Sequence, residues 1–277
     1  MVDRSAVSIA SRARHGLRTR VSTHPALYLA FARRKYPGPS PEVVGRDTQL
    51  VIDGYTRSAT TFAVYAFQLA QPEPVRLAHH LHAPAQLIEA ARRGLPALVL
   101  IREPKGAILS QLVREPWVTM SGALVAYCRF YVSLLSLRER FVVGEFEEVT
   151  RNFAAVVRRL NTRFGTDFVA FDPTDTNVRD CLELAALRDT LSPILLGFES
   201  GLVSRQTLRE SVTALRSSAA AGGADTWVPS RRRDGAKRAL EEQWIRPSLT
   251  RLRSRAEAIY EDFVAMQTRS RREEVAG

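Results

Sequence analysis

Residues Thr48 to Phe67 read TQLVIDGYTRSATTFAVYAF. Leu50-Val51-Ile52 is a short apolar run rich in β-branched residues. Gly54 follows, then a string of small polar residues, Thr56-Arg57-Ser58-Ala59-Thr60-Thr61. Phe62, Val64, Tyr65, Phe67 and Leu69 then recur at helical spacing. The pattern predicts strand, tight turn, helix. Such a turn aims successive backbone N–H groups at one spot beside the positive end of a helix. That makes an anion site, most often a phosphate site.

Downstream, strands and helices keep alternating. Val75 to His80 reads as a second short strand; Pro84 opens a helix and Gly94 ends it. Between them lie His79, His80 and His82, three of the five histidines. They sit at a C-terminal strand edge, where open α/β sheets place their chemistry. A histidine there is suited to proton transfer near neutrality. Leu98 to Ile101 is continuously apolar, as in a buried parallel strand, and stops at Arg102. Pro104 opens the next helix and Ser110 lies two turns into it, so Arg102 and Ser110 are able to face one ligand. The plainer alternative pairs Arg102 with Glu103 or Glu145. Val118 to Arg140 predicts a long helix, Arg140 to Phe146 a fourth strand, and Glu147 to Phe164 an amphipathic helix closed by Gly165. Another helix is expected from Asp172 to Leu191, a loop at Ser217 to Gly223, and a long polar helix from Ala236 to Gln267. The fold class is therefore α/β. It has three layers, with a central, mostly parallel sheet of about four to five strands flanked by helices, and a helical C-terminal part.

Three regions divide the chain: a basic N-terminal extension at 1–45, a single α/β domain at 46–268 and a charged tail at 269–277. In the extension a short helix is expected through Ala26 to Phe31. It either packs on the domain or offers a basic amphipathic face to an acidic membrane or substrate.

The chain has 277 residues, 45% of them hydrophobic, with a formal net charge of +11. It is long enough to bury a substantial core, and its charge points to an anionic ligand, a nucleic acid or a membrane surface. The Arg-rich composition suits bidentate phosphate or sulfate contacts. Cys128 and Cys181 show neither CxxC nor metal-ligand spacing, which reads as two reduced core residues in a reducing, cytoplasmic setting. No secretory signal is evident, and no apolar stretch reaches the roughly 20 residues needed to cross a bilayer.

The loop lacks the Gly-Lys step of a nucleoside-triphosphate loop, and the third strand ends in Arg102 where a metal-binding Asp is expected. A cation there suits a second phosphate better than magnesium. These features point to a nucleotide with two separated anionic groups and no metal. At this point the residues resemble the PAPS-dependent sulfotransferases. Thr56-Arg57-Ser58-Ala59-Thr60-Thr61-Phe62 is similar to that family's 5′-phosphosulfate loop, Pro-Lys-Ser-Gly-Thr-Thr-Trp. Arg102-Glu103-Pro104 with Ser110 is similar to its 3′-phosphate motif. His80, 22 residues before Arg102, stands like the catalytic His of its Lys-Thr-His-Leu-Pro segment. Phe146-Glu147-Glu148-Val149 resembles its Tyr-Glu-Asp-Leu turn. Pro229-Ser230 with Arg231-Arg232-Arg233 and Lys237 resembles its C-terminal 3′-phosphate element in a bacterial version. Against the usual pattern, Arg57 stands for Lys, Ala59 for Gly, Phe62 for Trp and His79 for Thr.

The resemblance implies transfer of a sulfuryl group from PAPS to a hydroxyl or amine acceptor, with PAP as product. A glycan or lipid acceptor would suit the basic surface. It implies His80 as the base, with His79 and His82 as alternatives, and Arg57 as stabiliser of the leaving oxygen. It implies Arg57, Ser58, Ala59, Thr60, Thr61 and Phe62 around the 5′ end, where Phe62 offers an aromatic face to adenine. Arg102 and Ser110 would hold the 3′-phosphate, with Arg232, Arg233 or Lys237 closing over it. The partners are then a nucleotide donor and a hydroxylated acceptor. Two rivals are a P-loop nucleotide-dependent kinase, opposed by the missing Lys and Asp, and a basic nucleic-acid-binding protein, for which no helix-turn-helix or aromatic-basic platform is present.

Overall fold

The computed structural model describes residues 4–35, 42–188, 190–217 and 231–276, with side chains at 9–35, 42–188, 190–214 and 233–267. Two helices lead, α1 (Arg4–Val21) and α2 (Pro25–Lys35). Strand β1 (Leu50–Gly54) runs into α3 (Thr60–Ala70), β2 (Leu77–His79) into α4 (Pro84–Arg93), and β3 (Ala97–Ile101) into α5 (Pro104–Arg114). Helix α6 (Met120–Val132) and a 3₁₀ turn, Leu135–Arg140, precede β4 (Val142–Glu145). Then come α7 (Phe146–Arg151), α8 (Phe153–Phe164), α9 (Asp175–Ala186), α10 (Ser192–Glu199) and α11 (Arg205–Ser217). The C-terminal part holds α12 (Arg231–Arg238), α13 (Glu241–Trp244), a 3₁₀ turn at Pro247–Leu249 and the long α14 (Thr250–Ala276).

The four strands form one parallel sheet in the order β2-β1-β3-β4. Its register sets Ile52 beside both His79 and Leu98, and Leu100 beside Gly144. Strand side chains alternate between two cores. Val51, Val99, Ile101 and Val143 pack with α2, α4, α5, α6 and α14 on one face. Leu50, Ile52, Leu98, Leu100 and Val142 pack with α3, α8, α9 and α10 on the other. Both faces are covered, so β3 reads as an unbroken apolar run, and the three-layer α/β expectation matches what forms. A Cβ on Gly54 would collide with the Leu100 carbonyl of the neighbouring strand, so only glycine lets β1 end this close to β3.

Several element boundaries differ from the sequence expectation. The predicted helix Val118–Arg140 is α6 plus the 3₁₀ turn, because the chain tightens after Val132 to bury Leu134. Glu147–Phe164 is two helices, because the chain turns at Asn152 to send both Val149 and Phe153 into one core. Ala236–Gln267 is divided into the end of α12, α13, the turn and much of α14; Pro247 cannot continue a helix. Tyr28, Leu29 and Ala32 of α2 join the first core, and Ala85 N–H donates to Ser22 O, so the leading helices pack on the sheet domain. The loop expected at Ser217–Gly223 lies almost wholly outside the described residues. Among the described residues no helix is long and apolar enough to cross a membrane.

Candidate functional site

Helix α3 starts without a side-chain cap: Ala59 precedes it at φ 69°, ψ 21° and makes no capping bond. The first N–H groups of the helix are therefore open to an external acceptor, at the positive end of its dipole. Two residues of the turn, Arg57 (φ 70°) and Ala59, hold left-handed backbone. That conformation folds the chain into a concave anion cradle at an energetic cost to both residues. Thr60 Oγ1 is buried with no hydrogen-bond partner among the described residues, an orphan that suits a phosphate oxygen. Tyr131 ties the turn to the sheet. Its hydroxyl donates to Leu100 O (2.8 Å), accepts from Tyr55 N–H (3.3 Å) and lies 3.5 Å from Ser58 Oγ.

A second positive pole lies at the ends of β3 and α12. Buried Ser110 Oγ accepts from Arg57 Nε at 3.0 Å and from Arg233 Nη2 at 3.3 Å. Arg102 reaches the Arg57 carbonyl from Nη1 (3.4 Å), and its guanidinium stacks 3.9 Å above the Phe146 ring. The alternative pairing of Arg102 with Glu103 or Glu145 is absent among the described ion pairs; Glu103 instead caps α5 by accepting from Gly106 N–H (2.6 Å). Burial, then the cations Arg233, Arg114 and Arg102, pull the Arg57 pKa down to about 9. Arg102 is lowered as well, first by burial. Positive charges held this close in a partly dry site favour an anion with several oxygens.

The three histidines form the facing wall. His80 (φ 54°) and His82 (φ 46°) are both left-handed. His80 Nε2 is 3.0 Å from Thr61 Oγ1, and its Nδ1 is 2.7 Å from His79 Nδ1. His79 is fully buried, with Nε2 3.0 Å from Ser200 Oγ. His82 donates through Nδ1 to Gly54 O (2.9 Å), while its N–H meets Asp53 Oδ1 (3.2 Å). Behind the pair, buried Glu199 accepts from Arg188 at two points (2.8 and 2.9 Å) and from Tyr65 OH (2.6 Å). Burial, then Arg188, His79 and His82, hold His80 well below the usual 6.5. Burial takes His79 down to about 4. Both rings are therefore neutral near pH 7, the state in which a ring nitrogen accepts a proton. His79, His80 and Glu199 place one ligand atom each within 4.8 Å of one another. The short Nδ1–Nδ1 contact and the two-point Arg188 pair make them a hydrogen-bonded cluster, with each group already serving another.

One cavity of about 560 Å³ joins these walls; Arg57, Ala59, Thr60, Thr61, Phe62, His80, His82, Arg102, Ser110, Arg233 and Lys237 all line it. Of the residues expected from sequence, Ser58 is buried behind the turn, and Lys237 also pairs with Asp234 (3.0 Å). The side chain of Arg232 lies outside the described residues, as do Pro229 and Ser230. Phe62 stands edge-on to Phe171, with ring centroids 6.2 Å apart. Sequence reasoning missed Glu199, Ser200, Arg188 and Arg114. Only Arg114 carried a signal, since it lies one turn beyond Ser110 on the same helix face. Both cysteines are free and buried; burial raises the Cys128 thiol and takes Cys181 up to about 12.

No protein-family model matches the chain, and no curated protein matches it. Among solved structures it is similar to mouse sulfotransferase SULT7A1 complexed with PAP, at 12% identity over 72% of this chain and 92% of that chain, with a TM-score of 0.35. The fold stands on the topology above.

Proposed function

We propose that the chain is a PAPS-dependent sulfotransferase. The observation that carries this reading is the meeting of Arg57 and Arg233 on buried Ser110, with Arg102 on the Arg57 carbonyl, in the cavity that neutral His80 also lines. Two positive poles joined in one site suit a nucleotide with one charged group at the 5′ end and another at the 3′ position. The sequence motifs assign the α3 turn to the first and Arg102, Ser110 and Arg233 to the second, with Lys237 beside them. The orphaned Thr60 hydroxyl supports an oxygen-rich ligand at the turn.

The nucleotide, when bound, supplies the sulfuryl group and leaves as PAP. The chain's own residues do the rest. His80 takes the proton of the acceptor hydroxyl at Nε2 as the acceptor oxygen bonds to sulfur. The bond between sulfur and the 5′-phosphate oxygen breaks. Arg57 and the free amides at the start of α3 hold the charge that develops on that oxygen. Positioning and charge stabilisation supply most of the rate, as in phosphoryl transfer, and no metal is required. Calorimetric titration with PAP tests the reading: wild type is expected to bind it, and Arg102→Ala to bind it at least about tenfold more weakly. Equal binding by the two proteins, or magnesium-dependent binding of ATP in its place, overturns the assignment. Turnover with labelled PAPS against glycans, lipids and phenols then identifies the acceptor.

A further inference from the structure

The histidine wall contains a chain of hydrogen bonds whose direction follows from its end. Ser200 Oγ lies 2.7 Å from Leu196 O. A carbonyl oxygen only accepts, so the single hydroxyl hydrogen of Ser200 is committed there. Ser200 Oγ is left as an acceptor, and the 3.0 Å contact to His79 Nε2 therefore has His79 Nε2–H as donor. His79 is neutral near pH 7, with its pKa taken down to about 4 by burial, so its Nδ1 carries a lone pair. That lone pair faces His80 Nδ1 at 2.7 Å and requires a hydrogen there. A neutral imidazole carries one hydrogen, so His80 Nε2 is bare.

We infer that Ser200, acting through His79, is a positioning residue that locks His80 in the Nδ1–H tautomer, with the Nε2 lone pair facing Thr61 Oγ1 at the cavity wall. Two further observations agree. Thr61 Oγ1 lies 3.0 Å from His80 Nε2, a hydroxyl able to donate to it. His79 Nδ1 and His80 Nδ1 lie 3.8 and 3.7 Å from Glu199 Oε2, so a proton taken up by the pair meets a buried carboxylate. Arg188 and Tyr65 fix that carboxylate in place. The inference rests on the sulfuryl-transfer reading only for the use of the bare nitrogen; the hydrogen-bond direction is independent of it.

The test is two-bond ¹H–¹⁵N correlation on histidine-labelled full-length protein at neutral pH, with His80→Gln giving the assignment. Wild type is expected to show His80 protonated at Nδ1 and bare at Nε2, and His79 the reverse. In Ser200→Ala the order is expected to be lost, with an Nε2–H population appearing at His80. Under the proposed activity, kcat is expected to fall by at least about tenfold while PAP affinity stays near wild type. Ser200→Thr, which keeps the hydroxyl, is expected to restore the wild-type tautomers. A wild-type His80 that carries its hydrogen on Nε2 overturns the inference without any variant, as does a Ser200→Ala protein with unaltered tautomers. Wild-type tautomers as expected, together with no sulfuryl transfer by either protein, would leave the positioning chain standing and sink the activity.

Discussion

Arg57 and Ser110 are 53 residues apart in sequence, yet Arg57 Nε donates to Ser110 Oγ across 3.0 Å. The bond joins the turn after β1 to the helix after β3, two elements that leave adjacent parallel strands at the same edge. It draws the two positive poles into one site. The same hydroxyl also accepts from Arg233, so a single buried oxygen orients guanidinium groups from two distant segments.

Ser110→Ala therefore leaves both guanidinium groups without their shared acceptor. Hydrogen bonds to charged groups are worth about 1.5–3 kcal/mol, so PAP affinity is expected to fall by roughly ten- to a hundredfold. Calorimetry at two salt concentrations checks it. The variant should also show a weaker salt dependence if Arg57 or Arg233 swings away. Unaltered affinity would mean that Ser110 does not organise the pole.

Ala59 stands at φ 69°, where a side chain costs about 1 kcal/mol or more. Ala59→Gly relieves that cost and gives part of it back as unfolded-state entropy. The thermal midpoint is expected to rise by about 2 °C, and Ala59→Val to lower it. A fall on Ala59→Gly would show that the left-handed turn is not strained by its side chain.

The buried imidazoles make stability fall in acid. The folded-state pKa of His79 is lowered, by burial first, to about 4 from 6.5, so the unfolded chain binds its proton more readily. Stability then rises with pH between those two values and levels off above the upper one. Denaturant midpoints measured from pH 4 to pH 8 should climb to about pH 6.5 and flatten. His79→Gln should remove much of the slope. A wild-type profile without slope in that window would contradict a neutral, buried His79.

The strands and the turn after β1 were legible because their signals are local. Leu98 to Ile101 is apolar throughout since both sheet faces are covered, and the small residues after Gly54 announce a turn. Arg102 and Ser110 were legible together because each follows from its distance to Pro104. The support of the histidines was not. Ser200 meets His79 across 121 residues of chain, at the end of a short helix whose sequence reads only as core. The turn at Asn152 was hidden too, because Glu147 to Phe164 keeps helical spacing while Val149 and Phe153 reach the core from two axes. Local pattern sets elements; the meeting of distant ones follows from how two cores close on a sheet.

Arg188 links charge, stability and protonation in one side chain. It pairs with Glu199 at two points and adds to burial, the first cause, in lowering the pKa of both His79 and His80. Arg188→Met leaves buried Glu199 without its cation, a loss of the kind that costs about 3–5 kcal/mol. It also lets both imidazoles titrate nearer 6.5. Folded and unfolded pKa values then converge, so the slope of stability against pH below 6.5 should become shallower even as stability at pH 7 drops. Under the proposed activity, the acid limb of turnover should move toward neutrality, because His80 protonates earlier and loses its lone pair. Arg188→Lys keeps a charge and should fall between the two proteins on both measures. Histidine ¹H–¹⁵N titrations and denaturant midpoints across the same pH range read the two effects separately. A slope as steep as wild type in Arg188→Met would show that burial alone holds the histidines neutral.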